Sequence, residues 1–187
     1  MTTEADLRAV TIGEPDRLDG QVTIVEYDPA WPGLFAREAT RIRAALGERA
    51  LLVEHVGSTS VRRLAAKPRI DIVLAVADAA DEPAYVPRLE ADGYVLRIRE
   101  PDWYEHRLFK RPEVQLNLHT FSAGSPEIDR MLLFRDWLRT HDDDRELYEQ
   151  AKRDLAARDW AFIQNYADAK TEVVEAILAR AGWRPPA

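Results

Sequence analysis

The 187-residue sequence contains no cysteine. That excludes disulfides, thiolate metal sites and cysteine nucleophiles together, and a cytoplasmic location is the expectation that follows. No run of about 18 apolar residues occurs, so no membrane-spanning helix is expected and a membrane is not an expected partner. Met1 to Gly20 has no apolar core and does not read as a signal peptide. Positive charge is in deficit as well. Lys and Arg number 26 against 33 Asp and Glu, a net charge of −7. A chain of that sign does not bind nucleic acid through its overall field, so nucleic acid is not an expected partner.

The sequence does have an ordinary globular composition, 46% apolar and 32% charged. Its length suits one well-buried domain, read as residues 21–183 between a flexible leader (1–20) and a short tail (184–187). Two stretches run against the acidic background. Residues 54–71 carry Arg62, Arg63, Lys67 and Arg69 against Glu54 and Asp71. Residues 97–111 carry Arg97, Arg99, Arg107, Lys110 and Arg111 against three acids. Basic patches on an acidic body suggest a local anion site.

Patterning predicts strands over 22–26, 51–56, 69–77, 94–99, 105–110 and 114–121. Helices are predicted over 32–46, 83–92, 126–140, 142–158 and 159–181, with Gly47 and Gly93 closing two of them. A short helix is expected from the Gly57 turn through Leu64. The 69–77 strand is nearly continuously apolar, which suits burial on both faces. The fold class is therefore α/β (α+β): a mixed sheet with flanking helices and a helical C-terminal third.

The most informative stretch is Glu54-His55-Val56-Gly57-Ser58-Thr59-Ser60, followed by Lys67-Pro68-Arg69-Ile70-Asp71-Ile72. Gly57 would let a ligand approach the backbone closely. The N–H groups after it, with the Ser58, Thr59 and Ser60 hydroxyls, could hold a phosphate at a helix start. Asp71 could carry a divalent metal bridging to that phosphate. The same residues read equally well as a capped turn next to a buried aspartate. Asn117 and His119 alternate along one strand and so share a face, and with Glu54 and Asp71 they could form a mixed oxygen and nitrogen metal site. His119 also reads as a buried histidine without a ligand. Glu54 and His55, being adjacent, point to opposite faces. Arg107 and Lys110 could neutralise phosphates, but their odd separation puts them on opposite faces too.

The pattern Val56-Gly57-Ser58, twelve residues, then Asp71-Ile72 resembles the nucleotidyltransferase superfamily signature, in which a Gly-Ser turn holds a triphosphate and an Asp-x-Asp pair binds Mg²⁺. Val73 stands where the second acid of that pair belongs. A closer resemblance is to the GrpB family of that superfamily. It is carried by Tyr27-Asp28-Pro29-x-Trp31-Pro32, the 54–61 and 67–72 stretches, Asn117-Leu118-His119, Phe134-Arg135-Asp136-x-Leu138-Arg139, and Tyr148 with Lys152 and Lys170. Arg62-Arg63 departs from the family's usual Pro-Gly. The resemblance implies binding of a nucleotide or other phosphorylated small molecule with Mg²⁺, and nucleotidyl transfer as the reaction. Asp71 and Lys67 would be catalytic. Gly57, Ser58, Thr59, Ser60, Arg107 and Lys170 would bind phosphate, and Asp71 with Glu54 or His119 would bind the metal. The alternative is a catalytically inactive binding or interaction module that retains the fold.

Overall fold

The computed structural model describes residues 2–185, which fold around one five-stranded mixed sheet. The elements run α1 (Glu4–Val10), β1 (Arg17–Gly20), α2 (Trp31–Leu46), β2 (Leu52–Val56), β3 (Ile70–Val76), α3 (Val86–Ala91), β4 (Val95–Glu100), β5 (His106–Arg111) and β6 (Val114–Ser122). A helical block follows: α4 (Pro126–Thr140), α5 (Asp142–Ala156), a short β7 (Trp160–Phe162), α6 (Ile163–Ala169) and α7 (Thr171–Arg180). The sheet order is β2-β3-β6-β5-β4, with β3 parallel to β6 and the other neighbours antiparallel.

Strand alternation divides β3 between the two faces of the sheet. Ile70, Ile72, Leu74 and Val76 face α2 and α3 and join the largest core, with Ile42, Leu46, Leu89, Phe109 and Leu118. Val73 and Ala75 face the other way and pack with Val56, Phe121 and Ile128 under α4. Both faces of β3 are covered, which is why its sequence is almost unbroken apolar. Each such fully buried aliphatic side chain contributes roughly 1.5–3 kcal/mol. Asp71 is the exception on the α4 face, and it marks the place where that cover opens.

The C-terminal helices close the end of the sheet that carries the Gly57 turn. Leu138 of α4, Tyr148 of α5 and Ile177 of α7 pack on Val61 and Leu64. Arg135 donates to the Glu54 carboxylate at 2.8 Å and to the His55 carbonyl at 3.1 Å, and Arg139 donates to the Ser60 carbonyl at 2.9 Å. The basic residues of the 134–139 motif are thus clamps on the β2 turn.

Three local expectations are corrected. The 1–20 leader contains α1, capped by Thr3 and Asp6 reciprocally, and β1, which pairs with β7. That pairing also breaks the helix expected over 159–181, because Trp160–Phe162 is drawn into extended backbone. Residues 22–26 form no strand; Val25 makes a lone bridge to Ala66. Of the tail, residues 186–187 lie outside the described residues.

Candidate functional site: a lysine pocket beside Asp71

Gly57 adopts φ +68° and ψ −175°, a backbone conformation that side chains rarely tolerate. A Cβ there would also lie well inside contact distance of Asp71 Oδ2. Gly57 therefore makes room for a carboxylate of the protein itself, where the sequence suggested room for a ligand. The turn that follows is a single 3₁₀ turn, Ser58–Ser60, and does not extend to Leu64. Two of its hydroxyls are already engaged. Thr59 Oγ1 bonds His55 Nε2 at 3.0 Å, and Ser60 donates to the Gly57 carbonyl at 2.6 Å. Both residues are buried. They hold the turn and do not present oxygens to a phosphate. Ser58 remains, on the turn near the buried Tyr148.

Asp71 is the hub of the site. Asn117, its partner across the parallel β3–β6 pair, donates to Oδ1 at 2.8 Å. His119 lies two residues further along the same face, with Nε2 at 3.6 Å from the same oxygen. That is beyond hydrogen-bond length. Burial would raise the Asp71 carboxyl, but the His119 imidazole, the Asn117 amide and the Lys67 charge together hold it below its ordinary value. Asp71 is the anion of the pocket.

Two lysines, Lys67 and Lys170, act on it electrostatically, and a third, Lys152, lies near Lys170. Lys67 leads into β3, Lys152 comes from α5 and Lys170 from the α6–α7 junction. The Lys67 and Lys170 ammonium groups lie 5.9 and 4.7 Å from the centre of the Tyr166 ring, and Lys152 lies 4.8 Å from that of Tyr148. Burial, with the charge of Lys170 adding to it, pushes Lys152 down to about 7 and Lys67 to about 8. Lys170 is lowered by burial too, while Asp71 acts to raise it. Lys152 donates to the Ala65 carbonyl. Among the described residues, none of the three forms an ion pair. Glu149, an acid near Lys152, is bonded to the Ala65 N–H at 2.9 Å and to Arg153 at 2.8 Å. The Tyr166 hydroxyl is buried without a hydrogen-bond partner among those residues.

Not every expected residue reaches this pocket. Arg107 points to the opposite face of the sheet, where it bonds Glu82 at 2.7 Å and Glu105 at 3.3 Å. It is a buried, paired cation and not a phosphate ligand of this site. Lys110 faces Asp16. Glu54 does lie on the Asp71 face, opposite Val73 on β2, but Arg135 holds its carboxylate. His55 lies on the other face, stacked on Phe35 with ring centres 4.9 Å apart, and burial pushes it down to about 4.

A Mg²⁺ ion fits poorly among these donors. Val73, fully buried, stands between Glu54 on β2 and His119 on β6 in register. Oδ2 of Asp71 is pressed against Gly57, and Oδ1 already accepts from Asn117. Among the described residues no three His, Asp or Glu side chains converge on one point. The expected ligand set of Asp71, Glu54 and His119 is not assembled, because Arg135 neutralises its second acid. Mg²⁺ asks for near-ideal oxygen geometry, which one hydrogen-bonded carboxylate does not supply.

A mixed sheet with a Gly-Ser turn after one strand, an aspartate on the next and a helical cap over both defines an α/β protein. The family model described as GrpB protein matches residues 21–180, and the chain belongs to the GrpB family. A UPF0157 protein of Halalkalibacterium halodurans is 58% identical over 179 residues, covering 96% of this chain and 92% of that protein. One from Streptomyces coelicolor is 45% identical over 171 residues, covering 91% and 89%. The crystal structure of the conserved protein GrpB from Enterococcus faecalis superposes with a TM-score of 0.71 at 31% identity, covering 85% of this chain and 96% of that one.

Sequence reasoning singled out Asp71, Lys67 and Lys170, and Asp71 acts electrostatically on both lysines. Lys152 and Tyr148 stood in the family pattern without an assigned role. Glu100 and His106, whose hydrogen bonds lead to His119, were not singled out. Their signal is a β4–β5 pairing interrupted by a register shift between Leu96 and Ile98, which no periodicity displays.

Proposed function

We propose that this protein binds a nucleotide or other phosphorylated small molecule, with the phosphates seated among Lys67, Lys152, Lys170 and Ser58. One observation carries the reading: three lysines lie near one another, largely buried, and form no ion pairs among the described residues. Uncompensated buried cations are costly, and a fold that retains them leaves a place for a ligand of opposite charge. A phosphoanhydride carries enough charge for all three, and ammonium groups suit its oxygens as point charges. Asp71, already held at one oxygen by Asn117, then spaces the lysines and does not serve as the main metal ligand.

Two-metal nucleotidyl transfer, the reaction implied by the superfamily resemblance, is not part of this reading, because Val73 and the Glu54–Arg135 pair remove its second carboxylate. The same observation favours the alternative of a binding module without metal-dependent turnover. Titration calorimetry with ATP and with inorganic pyrophosphate, each without divalent metal, tests the proposal. Binding of either, weakened at least tenfold by Lys170→Met and by Lys67→Met, is the expected result. Equal affinity in wild type and both variants, or no binding of either ligand, refutes it.

A further inference from the structure

A row of amide side chains runs along β6 on the Asp71 face of the sheet, from exposed Gln115 to half-buried Asn117. Arg69, two residues before Asp71, lies over this row. Its Nη2 donates to Gln115 Oε1 at 2.8 Å and its Nη1 to Asn117 Oδ1 at 3.3 Å. On the other side of Asn117, its register partner on β5, Lys110, is paired with Asp16. Arg69 has no such partner: among the described residues its side chain meets only the two neutral amides.

The orientation of the Asn117 amide follows from the chemistry of its neighbours. A guanidinium only donates, so Asn117 turns its oxygen to Arg69. Its NH₂ is left to face Asp71, to which it donates at 2.8 Å. Asn117 thus stands between the cation and the carboxylate, and the two do not pair directly. Arg107, Arg111 and Arg135, by contrast, each commit their guanidinium to a carboxylate. Arg69 is held in one orientation by two amides that leave its charge uncompensated. It is half-buried, so solutes reach it. Burial and the Lys170 charge lower Lys67 most, and the Arg69 charge adds to them, so Arg69 and the lysines act in one field.

We propose that Arg69, oriented by Gln115 and Asn117, is an outer anion-binding residue that selects ligands carrying several linked phosphates over a single phosphate. The inference rests on the phosphate reading of the lysine pocket. A lone phosphate is satisfied by the buried ammonium groups. A polyphosphate held there at one end presents further oxygens outward, toward the half-buried guanidinium. A planar fork matches two oxygens of one phosphate, which an ammonium group does not. The amides orient the fork before the ligand arrives, so less freedom is lost on binding. The ligand class is then a linear phosphoanhydride, as in a nucleoside di- or triphosphate.

The test titrates the whole protein with tripolyphosphate by calorimetry, without divalent metal and at constant ionic strength. Orthophosphate affinity is read from its competition with tripolyphosphate. Wild type is expected to bind tripolyphosphate at least tenfold more tightly than orthophosphate. Arg69→Met should weaken tripolyphosphate at least tenfold and leave orthophosphate within about twofold, the loss expected for a charge-assisted bond made by one ligand only. Arg69→Lys keeps the charge without the fork, and its tripolyphosphate affinity should fall between those of wild type and Arg69→Met. Gln115→Leu, which removes only the exposed amide, should weaken tripolyphosphate by a smaller factor and again spare orthophosphate. Unchanged tripolyphosphate binding in Arg69→Met, equal loss for both ligands, or a wild type without preference between them would overturn the proposal. A wild type that binds neither ligand would instead refute the phosphate reading beneath it.

Discussion

The two faces of the sheet treat buried charge in opposite ways. On the α2–α3 face every buried ion has its partner. Glu38 accepts from Arg111 at 3.0 Å and from the Tyr94 hydroxyl at 2.7 Å, and Glu82 accepts from Arg99 and Arg107 at 2.7 Å each. On the α4 face and under the C-terminal helices, three lysines have no ion-pair partner among the described residues, and Asp71 faces His119 at 3.6 Å. The first arrangement is closed and serves the fold. The second leaves its cations without ion pairs, and that contrast is what the proposed ligand site rests on.

The largest expected effect comes from breaking the closed network. Glu38→Ala leaves Arg111 as a buried cation next to a Tyr94 hydroxyl that has lost its acceptor. Removing one partner of a buried pair costs about 3–5 kcal/mol. Urea unfolding should report that loss, with ATP binding to the folded fraction unchanged. Lys152→Met should behave oppositely. It removes an uncompensated charge, so stability of the ligand-free protein is expected to hold or rise by up to about 2 kcal/mol, while ATP protection falls. Equal destabilisation by both substitutions would erase the contrast between the two faces.

What the sequence displayed of these faces follows from the range of the interaction involved. Helix α4 was legible to the residue, because Pro126 and the apolar spacing are local signals. Strands β2 to β6 came within one or two residues, with alternation placing Asp71, Asn117 and His119 on one face. The 159–181 segment was misread because Trp160–Phe162 takes its extended form from Arg17–Gly20 at the other end of the chain. The same long-range partner gave structure to the supposed leader. Arg107 shows the limit at the site. Its charge was visible, but the choice of face depended on β5 lying between β4 and β6, and the decisive acid, Glu82, comes from the loop before α3. Charge names candidates; pairing across the sheet decides which of them are already paired.

A second, intermediate effect should appear with pH, and its two parts have opposite signs. Lys152 and Lys67 fall from their ordinary value of 10.5 to about 7 and about 8 in the folded chain. Between these values and 10.5 the unfolded chain binds more protons than the folded one. For these groups, the stability of the ligand-free protein therefore rises with pH across that window. A phosphate ligand needs the protonated forms, so its affinity falls over the same window. Calorimetry with ATP at pH 7.5 and 9.0, where the phosphates are already ionised, should show at least tenfold weaker binding at the higher pH. Denaturant unfolding without ligand should show no matching loss of stability.

The smallest effect concerns the metal. Asp71 is the one acid of the expected triad free of a cationic clamp, and its Oδ1 is occupied by Asn117. Mg²⁺ binds through one or two carboxylates only when substrate phosphates complete its shell. Millimolar Mg²⁺ alone should therefore shift the melting temperature by less than about 1 °C, as expected for a ligand near or below its dissociation constant. Arg135→Met sharpens the point. It frees Glu54 on the same face as Asp71, one strand away and in register with Val73. It also removes the clamp on the His55 carbonyl, so some stability is lost whatever the metal does. If a missing second acid is what denies the site a metal, this variant should gain a small Mg²⁺-dependent melting shift that wild type lacks. Tight Mg²⁺ binding to the ligand-free wild type would show instead that the pocket is completed by a cation, and the proposed division of labour between lysines and aspartate would have to be reversed.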